Sequence, residues 1–118
     1  MPTRTRDQLV REALGELGIA DANNPVEAED FALVNDAIEP ALQEFASIGL
    51  YEAGDYDVIE DAAFNALAVL LALRVAGKFG VAGNELTSLE RRAIGAEKRL
   101  RILNSSGPTY EVARGSYF

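Results

Sequence analysis

Apolar positions along this chain recur mostly at intervals of three and four, the spacing of helices that bury one face. Leu9, Val10, Ala13, Leu14 and Leu17 form the first such group. Thr5 precedes it with Gln8 three residues on, a capping-box pair, and Gly18 stands where a left-handed stop is expected. The second group is Phe31, Val34, Ile38, Leu42 and Phe45, with Glu29, Asp36 and Glu44 on the opposite face. Asn24 as cap, Pro25 at the first helical position and Glu27 at the third predict where this helix begins, and Gly49 where it ends. Pro40 lies inside the pattern; lacking an N–H and crowding the carbonyl of Asp36, it predicts a kink.

The third segment abandons one-sidedness. From Ala62 to Ala76 the chain is apolar nearly all round, interrupted by Asn65 and Arg74. Asp57 with Glu60 three residues on is the expected cap. The run is shorter than the ~20 residues a membrane span needs, and Glu60, Asp61 and Lys78 flank it, so it reads as the buried helix of a soluble protein. Gly77, Gly80 and Gly83 break it up. A fourth helix is expected from Glu85 to Leu103, with Leu86, Leu89, Ala93, Ala96, Leu100 and Leu103 inward and Arg91, Arg92, Lys98, Arg99 and Arg101 on the remaining arc.

Ser105-Ser106-Gly107-Pro108 then terminates the helix. Thr109 to Ala113 alternates like a short strand, but no second strand is predicted to pair with it. Extended, the final residues would reach about 50 Å. Tyr110, Tyr117 and Phe118 are an unusual composition for a frayed end, so a disordered terminus and a docking arm both remain open. The expected architecture is all-α: a four-helix bundle over residues 1–104 and an extended C-terminal arm over 105–118.

Length and composition narrow the chemistry. A chain of 118 residues, 48% hydrophobic and 25% charged, is one soluble globular domain. It has no cysteine and no histidine, which removes disulfides, thiolate nucleophiles and the usual zinc and haem sites. Met1-Pro2-Thr3-Arg4 has no apolar run behind it, so no secretory signal is expected. Asp55, Asp57, Glu60 and Asp61 lack the spacing and turn glycine of a calcium loop and read as loop and cap. Gly77, Gly80 and Gly83 follow a helix, not a strand, and are no phosphate-binding fingerprint. Serines have no histidine partner, Lys78 and Lys98 sit in ordinary amphipathic contexts, and no carboxylate pair lies in an apolar setting. The expectation is a protein with no cofactor that is not an enzyme.

Charge is unevenly placed. Between Asp21 and Asp61 there are twelve acidic residues and no Lys or Arg; from Ala62 to Phe118 there are eight basic residues and four acidic ones. One reading is merely solvated faces. The other is an acidic side (Glu29, Asp36, Glu44) and a basic side (Arg91, Arg92, Lys98, Arg99, Arg101) that meet between identical copies. The net charge of −8 speaks against a module that wraps phosphates.

The ordered set of segments resembles a known family. Leu14-Gly15-Glu16-Leu17-Gly18-Ile19 is similar to its opening helix end. Glu27-Ala28-Glu29-Asp30 through Val34-Asn35-Asp36-Ala37-Ile38 to Phe45 and Gly49-Leu50 is similar to its second helix. Asn65-Ala66-Leu67-Ala68, Leu73-Arg74-Val75-Ala76 and Phe79-Gly80 resemble the third, and Leu86, Ala93, Ala96, Glu97, Lys98 and Leu100 the fourth. The family is that of the podovirus tail accessory factor, the packaged-DNA stabilisation protein, and the related adaptors of long-tailed phages and gene-transfer agents. The likeness covers Leu9 to Leu103; Phe45 stands where tryptophan is common, and the tail is short.

The resemblance implies a virion protein made in the host cytoplasm and located at the head–tail interface. It implies a twelvefold ring of copies beneath the portal protein that extends the DNA channel, helps retain packaged DNA and connects to the next tail component, with no membrane involved. The C-terminal segment would reach the portal through Tyr110, Val112, Arg114, Tyr117 and Phe118. The competing expectation is an acidic helical regulatory module that masks a basic partner.

Overall fold

The computed structural model describes residues 2–20 and 23–105, the last without its side chain. Among them are four α-helices, α1 (Arg6–Glu16), α2 (Ala28–Ser47), α3 (Asp61–Val75) and α4 (Gly83–Ser105). There are also a 3-10 turn at Ala76–Phe79 and two short strands, β1 (Thr3–Thr5) and β2 (Val58–Glu60). The protein is mostly helical, and the strands correct the expectation of an all-α chain.

Helix α1 begins and ends as its sequence predicts. Thr5 Oγ1 accepts from the Gln8 N–H at 3.1 Å while Gln8 Oε1 accepts from the Thr5 N–H at 2.8 Å, so two otherwise orphaned donors are satisfied. At the other end Gly18 turns left-handed at φ 75°, and the Ile19 N–H reaches back to the Leu14 carbonyl at 3.1 Å. The same closure ends α2, where Gly49 has φ 71° and the Leu50 N–H meets the Phe45 carbonyl at 2.8 Å. Leu50 and Phe45 are both buried.

Two helix starts lie later than expected. Asn24 and Pro25 do not open α2: the backbone stays extended to Glu27 (φ −85°, ψ 147°), which lets Val26 pack on the core, and no side chain caps the helix. Nor does Asp57 cap α3. Residues Val58–Glu60 pair antiparallel with Thr3–Thr5, Thr3 opposite Glu60, and the helix starts only at Asp61. Backbone donors and acceptors that would have joined a helical turn are taken by the N-terminal strand. Pro40 is accommodated within α2 on its exposed side. Helix α4 starts two residues early, at Gly83.

Helix α3 is the centre. It packs against α1, α2 and α4, whereas α2 and α4 barely touch each other. Phe64, Leu67, Leu71 and Val75 are at most 2% exposed, which is why the segment is apolar on nearly every side. Asp61–Phe79 is long and apolar enough to cross a membrane by length and composition, yet half of that stretch is buried inside this fold. Ile59 of β2 is fully buried while its neighbours Val58 and Glu60 are exposed, the alternation of a strand with one face on the core.

Candidate functional site

The charges expected to carry function divide into those the fold uses internally and those it leaves on the surface. Arg6, at the start of α1, belongs to the first class. Its side chain is 18% exposed. Nε donates to Asn35 Oδ1 at 2.7 Å, Nη2 to the Asn35 carbonyl at 3.0 Å, and Nη1 to Glu39 at 3.0 Å, with Asp57 3.6 Å away. The guanidinium fork thus ties α1 to α2 and to the loop before β2. Beside it Arg4 pairs with Asp61 at 2.8 Å and lies over the Phe64 ring, 4.6 Å from its centroid. The Arg6 N–H donates to the Asp57 carbonyl and the Asp61 N–H to the Pro2 carbonyl.

Of the acidic side, Glu44 is engaged by Arg74 of α3. Of the basic side, Arg92 reaches Glu16 at the end of α1, and Arg101 pairs with Glu97 one turn away at 2.9 Å. Glu29, Asp36, Arg91, Lys98 and Arg99 are exposed, and among the described residues none of them makes an ion pair. The structure therefore keeps Glu29 and Asp36 together on the outer face of α2. It keeps Arg91 and Lys98 on the outer face of α4, where Ile94 is 65% exposed and Ile102 57%. These isoleucines were missed in the sequence, although neither fits the inward stripe of α4. The arm residues Tyr110, Val112, Arg114, Tyr117 and Phe118 lie outside the described residues.

The clefts are open. One lies between the end of α1 and the start of α4, beside Arg92 and Glu16. Another lies over α3 between α1 and α4, with a floor of Ala66, Val69 and Ala96. Among the described residues no group of three or more Asp or Glu side chains is placed to hold a metal ion. Tyr51 is buried beneath the loop leading to β2; its hydroxyl accepts from the Glu60 N–H at 3.5 Å, and burial pushes its pKa above the ordinary 10.0. It faces a backbone amide, not a cluster of reactive groups.

No protein-family model, curated protein or solved structure matches this chain.

Proposed function

We propose that this chain is a structural subunit of a tailed phage particle, a head–tail adaptor that assembles as a ring beneath the portal protein, and that it is not an enzyme. In this reading the four helices form the adaptor's bundle, residues 105–118 are its extended docking arm, and the ring lengthens the DNA channel and receives the next tail component. DNA passes without sequence-specific contact.

One observation carries the reading. After folding has paired Arg4, Arg6, Arg74, Arg92 and Arg101 with carboxylates, Glu29 and Asp36 are left on α2 and Arg91, Lys98 and Arg99 on α4, two helices that scarcely meet. Opposite charge on two different surfaces suits head-to-tail contact between copies, the kind of contact that closes rings.

The test is to mix the purified chain with a portal ring and image the product by negative stain. A second ring stacked on the portal is the expected result. A chain that stays a monomer or dimer, indifferent to portal, would instead mark it as a regulatory module masking a basic partner. Truncation after Gly107 should leave helicity unchanged and abolish binding to the portal; normal binding removes the arm from the reading.

A further inference from the structure

The exposed faces of α2 and α4 match in more than sign. On α2, Glu29 and Asp36 are seven residues apart and so lie on one face two turns apart, a separation of roughly 10 Å along the axis. Leu33, half-buried, and Pro40, exposed, lie alongside and are also seven apart. On α4, Arg91 and Lys98 repeat the same seven-residue interval, and Ile94 and Ile102 flank them. Each helix thus presents a strip of two like charges beside an apolar edge, at equal spacing and with opposite sign.

We infer that the outer face of α4 in one copy docks on the outer face of α2 in the next, with Arg91 and Lys98 opposite Glu29 and Asp36 and with Ile94 against Leu33 and Pro40. The occupant is a second copy of this chain. Within one copy the two strips are on helices that barely touch, so they cannot satisfy each other. Helix α2 carries no Lys or Arg of its own, and the cations that reach it from other elements go elsewhere: Arg6 to Asn35 and Glu39, Arg74 to Glu44, Arg11 over Phe31. Ile94, 65% exposed, has Arg91 and Lys98 on one side and Glu90 and Glu97 on the other, Glu97 being held by Arg101; the Arg91–Lys98 edge beside it suits a surface that is both acidic and partly apolar. Arg92, Arg101 and Glu44 have internal partners and lie outside this contact. The inference rests on the ring reading and gives it a specific seam.

The chain has no cysteine, so cross-linking can be placed at will. Ala32→Cys on α2 and Gly95→Cys on α4 put one thiol beside each strip; a Cβ at Gly95 meets nothing within 4 Å. At high protein concentration and low salt, a flexible bis-maleimide should convert the double-cysteine chain into a ladder of dimers, trimers and larger species. Each single-cysteine chain should stay a monomer. In the double-cysteine background, E29K with D36K should abolish the ladder, as should R91E with K98E, with helicity unchanged. Mixing those two charge-reversed chains should restore it, because each reversed face then meets its complement.

A monomeric double-cysteine chain overturns the seam. So does a dimer from Gly95→Cys alone, which marks α4 pairing with itself, and so does a ladder that ignores both reversals. A ladder that forms and is rescued, from a chain that does not bind portal, upholds the seam and removes only the adaptor reading.

Discussion

The corner around Arg6 and the outer face of α4 are made from the same kinds of residue and use them in opposite ways. At the corner, Arg4 and Arg6 meet Asn35, Glu39, Asp57 and Asp61 within the chain, over the ring of Phe64. On α4, Arg91 and Lys98 are exposed beside Ile94 and meet no carboxylate among the described residues. Arg4 and Arg6 are tied into the fold, whereas Arg91 on α4 is left on the surface. A charge count alone does not separate the two, because what distinguishes them is the location of partners far away in sequence.

Four changes test that contrast. The largest effect is expected from Phe64→Ala, which empties a 2%-exposed core position directly beneath Arg4; loss of about 3–5 kcal/mol in urea unfolding is expected. A loss below about 1 kcal/mol would mean the corner is not anchored to the core. Arg6→Met comes next. It strands the Asn35 side chain and carbonyl, part-buried partners, and should remove about 1–3 kcal/mol. If it is neutral, the corner is no more than a surface ion pair.

On the other side, Arg91→Glu with Lys98→Glu should change unfolding stability by no more than about 0.5 kcal/mol, since both are exposed and unpaired. A larger loss would place these residues in the fold's own support. The smallest effect concerns pH. Because Tyr51 has its pKa raised by burial, the unfolded chain releases this proton first as pH climbs past 10.0, while the folded chain still holds it. The stability it contributes is complete below that pH and declines above it. Wild type should therefore lose more stability than Tyr51→Phe between neutral pH and the alkaline range; parallel curves would show that the hydroxyl is equally solvated in both states.

What was legible in the sequence follows the range of the interactions involved. Helix α1, with its Thr5–Gln8 box and Gly18 closure, is specified by neighbours within five residues, and it is present as read. The inward stripes of α2 and α4 and the all-round apolar character of α3 were legible for the same reason, since period alone reports burial. The start of α3 was not. Asp57 and Glu60 look like a cap pair, but Val58–Glu60 is claimed by a strand at the other end of the chain. Two three-residue strands are too short to leave a period of two, and only the β-branched content of Thr3, Thr5, Val58 and Ile59 hinted at them. Likewise Asn24 and Pro25 carry a good local start signal that yields to the packing of Val26. At the candidate surface, Glu29, Asp36, Arg91 and Lys98 lie off the apolar stripes of their helices, as the period indicates, and are exposed. That Glu44, Arg92 and Arg101 have partners depended on tertiary neighbours the sequence does not display.

The clasp between the strands also orders events in time. Arg4 and its partner Asp61 are 57 positions apart, so a chain emerging from the ribosome holds α1 without this clasp until β2 has been made. Closing so long a loop is unfavourable until the helices between have begun to pack. A nascent chain arrested before residue 60 could therefore dock α1 on α2 but would lack both the strand clasp and the α3 surface that covers the rest of α1.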